Sequence, residues 1–204
     1  MLKLAEKVCP GPVTFVLDKK SIIPDLVTSG HQTVGLRVPN HQLTLQLLQS
    51  LDFPLAAPSA NPFGFVSPTN AQHVNDQLGN KLPYILEGGS CAVGIESTIL
   101  DFSRGNKKVL RLGGMSLEFL EETLGEKLEI QTSSSNPNAP GMLISHYNPG
   151  KKVIVGNSIS ELLNERIGEW ANLRIGVLAF KNFQPEIDRK LQRVLSPSGN
   201  LTEA

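Results

Sequence analysis

The stretch Pro54–Thr69, PLAAPSANPFGFVSPT, limits what this chain can become more than any other segment. Leu55-Ala56-Ala57 has the length and character of a buried strand. Pro58 stops it, and Ser59-Ala60-Asn61-Pro62-Phe63-Gly64 is turn chemistry crowded with small hydroxyl and amide groups. Ser67-Pro68-Thr69 then reads as a helix start, with Ser67 as N-cap, Pro68 at the first helical position, and Ala71, Val74 and Leu78 along one apolar face. A strand that opens into a polar loop and then a helix N-terminus is how α/β proteins hold anionic ligands. Free N–H groups and the positive dipole end face the ligand, and small side chains let the backbone approach. A well-capped surface loop accounts for the same residues.

Around this segment the pattern alternates strands and helices. Leu2–Val8 is a short amphipathic helix, Val13–Leu17 a strand, 18–32 a loop, and Thr33–Val38 a strand closed by Pro39. A helix is expected over His41–Leu51, and strands at Tyr84–Leu86, Ser97–Leu100 and Val109–Leu112, with a tight turn at Arg104-Gly105-Asn106. Ser116 caps a helix that Gly125 stops, and Lys127–Ile130 is a last short strand. Residues 132–150, rich in Pro, Gly, Asn and Ser, form a linker. Beyond it Lys152–Val155, a helix over Ile159–Trp170 and Arg174–Phe180 read as a βαβ unit that opens a second α/β domain. The division is therefore 1–131, 132–150 and 151–204, and the chain reads as cut at both ends.

With 204 residues, 40% of them hydrophobic, the chain buries a real core. Its formal net charge of zero excludes a broad electrostatic grip on nucleic acid, so any anion is held by a few placed groups. Cys9 and Cys91 lack the spacing of a disulfide framework or a zinc site, and His31, His41, His73 and His146 lack metal-ligand spacing. Most of the histidines read as solvent or helix-surface residues. No apolar run approaches the ~20 residues of a membrane span, and no signal peptide precedes the first helix, which predicts a soluble cytoplasmic protein.

Two arginines sit in apolar strands. Thr33 and Arg37 are four residues apart in TVGLRV, so they share one side of a strand. Arg37 there needs a ligand carboxylate or an internal acid, and guanidinium geometry suits either. Arg111 in VLRLGG has the same signature before two glycines. Ser97-Thr98 opens a strand, where hydroxyls orient a polar ligand or bond to neighbouring backbone. No P-loop, dinucleotide fingerprint or G-x-S-x-G elbow is present, so no hydrolase nucleophile is expected.

The blocks TVGLRVP, PLAAPSANPFGFVSPT, EGGSCAVGIESTILD, VLRLGG and APGMLISHYNPG, in that order, resemble the YrdC-like family of L-threonylcarbamoyladenylate synthases, in the long form that carries a second, Rossmann-like domain. The resemblance implies a twisted mixed sheet with flanking helices, then a linker and the first βαβ unit of the second domain. It also implies that L-threonine, bicarbonate and ATP are joined to give threonylcarbamoyl-AMP and pyrophosphate, Mg²⁺ accompanying the ATP. The product passes to the tRNA threonylcarbamoyl transferase machinery. By this resemblance Arg37, the Ala57 backbone and Ser97 hold threonine. Thr33, Ser59, Ser67, Arg111 and the linker residue Tyr147 contact ATP, and no side chain acts as a nucleophile. The family pattern also has an N-terminal basic K-x-R-type motif that this chain does not show, has Asp where Glu87 stands, and has Pro where Leu112 stands. A non-catalytic nucleotide- or RNA-binding relative of the same fold is the competing expectation.

Overall fold

A computed structural model describes residues 1–131, 149–170 and 173–200, which divide into two units, Met1–Lys151 and Lys152–Ala204. The first unit is built on β1 (Val13–Asp18). Its alternation sends Val13 and Phe15 to one face and Thr14 and Val16 to the other. β2 (Thr33–Leu36) pairs antiparallel with β1, and β3 (Thr98–Asp101) pairs parallel with it. β4 (Lys108–Arg111) is antiparallel to β3, and β5 (Glu129–Ile130) is parallel to β4. The result is a five-stranded mixed sheet of order β2-β1-β3-β4-β5.

Two helices cover the first face. α1 (Leu2–Val8) buries Leu4 and Val8, four residues apart and so on one side of the helix. α5 (Leu117–Leu124) buries Leu120 completely. Together with Val13, Phe15, Leu100, Val109 and Leu128 they make the core. The Ser116 side chain accepts from the Phe119 N–H at the start of α5, and Gly125 ends it with φ +72°, as its sequence predicts. Past that cap, Glu121 accepts from the Leu128 N–H at 3.0 Å and from the Lys127 ammonium at 2.6 Å. The Lys127 bond, with the Leu128 N–H behind it, holds the Glu121 carboxyl below its ordinary pKa. The opposite face has only a small apolar cluster, Val16, Ile99 and Leu110, and is otherwise polar.

Several elements differ from expectation, for physical reasons. Leu55–Ala57 is exposed chain outside the sheet. Pro54 and Pro58 bracket it, and neither has an N–H to give a ladder. Tyr84–Leu86 is likewise unpaired, with Tyr84 90% exposed. β2 stops at Leu36, which leaves Arg37 just beyond the strand. The loop 18–32 includes α2 (Asp25–Thr28). α3 (Gln42–Gln49) is capped by His41, whose Nδ1 accepts from the Thr44 N–H at 3.3 Å while Nε2 lies 3.1 Å from the Gly88 carbonyl oxygen. His41 is therefore a structural pin for the Gly-rich loop and not only a surface histidine. α4 (Ala71–Leu78) starts three residues later than read, because Asn70 caps it through His73 N–H at 2.9 Å. The turn between is as expected: Asn61 donates to the Pro62 and Phe65 carbonyls, and Gly64 takes φ +81°.

The second unit holds α6 (Ile159–Trp170), β6 (Val177–Ala179) and β7 (Gln192–Val194), the two strands being parallel. Lys152–Val155 forms no strand and leaves Val155 89% exposed, so the expected βαβ unit is not assembled from 152–180. The partner of β6 comes instead from further along the chain. Gln192 secures that pairing, with its Nε2 donating to the Gln184 and Ile187 carbonyls and its Oε1 accepting from the Gln184 N–H. Among the described residues no helix is long and apolar enough to cross a membrane.

Candidate active site at one end of the mixed sheet

Strand directions gather four distant residues. β2 and β4 run antiparallel to β1 and β3, so the C-terminal ends of the first pair lie beside the N-terminal ends of the second. That end of the sheet carries Arg37, Thr14, Ser97 and Arg111. Phe15 pairs with Leu36, and the Gly11 N–H donates to the Val38 carbonyl at 2.9 Å, which seats Arg37 alongside Pro12–Thr14. Neighbouring strands lie ~4.8 Å apart, so the Arg37 and Arg111 backbones are separated by about 14 Å.

The polar face at this end is one connected network. Thr14 and Ser97 share a hydroxyl hydrogen bond of 2.8 Å. Arg111 donates from Nε to the Ser97 carbonyl and from Nη2 to the Ser97 hydroxyl, both at 3.1 Å. Its Nη1 forms an ion pair with Glu96 Oε2. The Ser67 hydroxyl donates to Glu96 Oε1 at 2.9 Å. The Arg111 and Glu96 side chains are 14% and 19% exposed, so the pair is largely withdrawn from water. Ser97 itself is buried.

The two glycines after Arg111 make this closeness possible. The Gly114 N–H donates to the Glu96 carbonyl at 2.8 Å. A Cβ on Gly113 would lie 2.6 Å from the Thr98 nitrogen and closer still to the Glu96 carbonyl oxygen. Thr98 closes the crossing: its hydroxyl donates to the Met115 carbonyl at 2.7 Å and accepts from the Met115 N–H at 3.1 Å.

Of the residues expected at the site, the structure joins Ser67, Ser97 and Arg111. Arg37 stands at the same sheet end but is exposed, and its internal acid is absent among the described residues. Ala57 and Ser59 lie exposed on the unpaired 54–60 segment and take part in none of the hydrogen bonds described above. Thr33 is at the far end of β2, opposite Asp18. It borders a polar cavity of about 260 Å³ with His31, Asp101, Ser103, Arg104 and Asn106. Tyr147 lies outside the described residues. Ser67 is a network member and not the helix cap, since Asn70 takes that place.

Sequence reasoning missed Glu96 and Thr14. For Arg111 an internal acid and a ligand were both open, and the structure supplies the acid. The signal for Glu96 was there: a carboxylate one residue before a buried strand, in a chain with an arginine in an apolar strand. Among the described residues no cluster of three His, Cys, Asp or Glu side chains is placed to hold a metal ion.

Fold and site define an α/β protein whose mixed sheet ends in an arginine-bearing polar face. The family model described as Telomere recombination, spanning the Sua5, YciO and YrdC proteins, matches residues 1–113, and the chain belongs to that family. A second model, described as Threonylcarbamoyl-AMP synthase, C-terminal domain, matches residues 115–204. The threonylcarbamoyl-AMP synthase of Pyrococcus abyssi is 38% identical over 171 residues, covering 81% of this chain and 50% of that protein. That of Schizosaccharomyces pombe is 34% identical over 207 residues, covering 91% of this chain and 51% of that one. The crystal structure of P. abyssi Sua5 complexed with L-threonine superposes with a TM-score of 0.85 at 32% identity, over 98% of this chain and 60% of that chain. The chain thus spans about half the length of the curated relatives it matches.

Proposed function

We propose that this chain carries the nucleotidyl-transfer part of an L-threonylcarbamoyladenylate synthase. L-Threonine and bicarbonate condense to the carbamate with loss of water. The carbamate oxygen attacks the α-phosphorus of ATP, and pyrophosphate leaves. The product, threonylcarbamoyl-AMP, serves the threonylcarbamoyl modification of tRNA. The observation that carries the reading is that strand pairing brings Arg37 and Arg111, far apart in sequence, to one end of the sheet with hydroxyls of Thr14, Ser67 and Ser97 beside Arg111.

In this reading Arg37 takes the threonine carboxylate, with Ser97 and the Ala57 backbone completing that pocket. Arg111 and Ser67 face the phosphates, and Ser59, Tyr147 and Thr33 also contact ATP, Thr33 from the far end of β2 beside the polar cavity. The reaction asks for positioning and charge stabilisation and no protein nucleophile, which suits a face of arginines and hydroxyls. Mg²⁺ takes phosphate oxygens and water as ligands in preference to a protein cage. A magnesium ion carried on the triphosphate would supply charge neutralisation there.

Calorimetric titration with L-threonine tests the Arg37 assignment. Arg37→Ala is expected to weaken threonine binding by about ten- to a hundredfold, the worth of a charge-assisted bidentate contact. Equal affinity in wild type and variant would remove Arg37 from the threonine pocket.

A further inference from the structure

Glu96 touches both residues on the phosphate side of the network. Its Oε1 accepts from Ser67 and its Oε2 pairs with Arg111. Its backbone cannot drift, because its carbonyl accepts from the Gly114 N–H and Gly113 crosses directly against Glu96–Thr98. A fixed carboxylate with two oxygens divided between a cation and a hydroxyl sets the geometry of both. It also opposes what those groups are there to hold. A phosphate arriving at Arg111 meets like charge at Glu96 and must draw the Nη1 donor away from it, in surroundings partly withdrawn from water.

We infer that Glu96 is a positioning residue that fixes Arg111 and Ser67 in one arrangement and tempers the grip of Arg111 on phosphate groups, an inference that rests on the nucleotide reading of those two residues. A plain brace for Arg111 would need only the ion pair. The second bond, to Ser67, adds a side-chain tie between two segments that are also joined by the Cys91 N–H donating to the Thr69 carbonyl at 2.8 Å. The carboxylate competes with phosphate for the same Arg111 donor and so favours pyrophosphate release.

The test is calorimetric titration of the 204-residue chain with inorganic pyrophosphate and, separately, ATP. Glu96→Gln keeps the side-chain shape and an acceptor while removing the charge. It is expected to bind pyrophosphate roughly fivefold more tightly, the scale of a partly exposed ion pair. The gain should vanish when Arg111→Ala is added. In turnover the same variant should lower KM and kcat together, because product leaves more slowly. Unchanged or weaker pyrophosphate affinity in Glu96→Gln, whatever its melting temperature, overturns the inference. Should that variant fail to fold, Glu96→Asp carries the test: its charge withdraws from Arg111, and a smaller tightening of about twofold is expected by the same reasoning. Weaker or equal binding there also overturns it. Tightening without threonine-dependent turnover in wild type would keep the Glu96 role and remove the synthase reading. A wild-type chain that binds neither ATP nor pyrophosphate would remove both.

Discussion

Arg111→Ala is expected to reduce pyrophosphate release by at least about a hundredfold, the usual cost of removing a placed charge from a transferring phosphoryl group. It should also destabilise the first unit. The Arg111 guanidinium bonds to the Ser97 carbonyl and hydroxyl and pairs with Glu96. Without it, Glu96 keeps a charge that is 19% exposed and has lost this cation. Breaking a fully buried pair costs about 3–5 kcal/mol. The residual solvent contact lowers that to roughly 2 kcal/mol here. Arg111→Lys restores charge but not the planar fork, so it should recover stability better than activity. Activity within a few-fold of wild type in Arg111→Ala would place the phosphates elsewhere.

Gly113→Ala is expected to destabilise this unit by about 3 kcal/mol or more, and Gly114→Ala far less. The new Cβ at 113 would lie 2.6 Å from the Thr98 nitrogen and 2.5 Å from the Ser97 carbonyl carbon, backbone atoms at the start of β3 and just before it. Backbone at a strand entry yields only by disrupting its ladder, so overpacking there exceeds the usual core range. At 114 the nearest atom is a Val93 side-chain methyl at 2.7 Å, and Val93 is 43% exposed and free to turn away. Thermal unfolding of the two variants measures the contrast. Gly113→Ala should also lose nucleotide binding, because Glu96 and Ser97 move with the displaced strand. Equal melting temperatures for the two variants would contradict the packing seen at this crossing.

The sheet was legible where strands alternate or run apolar between clear stops. Val13–Leu17, Ser97–Leu100 and Val109–Leu112 lie where β1, β3 and β4 are found, and Ser116 and Gly125 mark both ends of α5. Periodicity failed where a strand needs a neighbour that local sequence does not specify. Leu55–Ala57 and Lys152–Val155 have strand composition but no ladder to join. Helix starts were read from the first good cap, and Ser67 and Asn70 are both good caps. The choice went to Asn70 because the Ser67 hydroxyl is engaged by Glu96, a long-range contact invisible along the chain. The site was legible as a set of residue types, two arginines and several hydroxyls at strand ends. Its wiring was not. That Glu96 joins Arg111 to Ser67 follows from the antiparallel return of β4 beside β3, which only the folded topology supplies.

Pyrophosphate release from ATP by this chain, measured with L-threonine and bicarbonate each present or absent, tests the account most directly. Release that requires both co-substrates is the predicted result. Release from ATP alone, or none with all three present, would contradict the assignment of this sheet end as a threonylcarbamoyl-AMP-forming site.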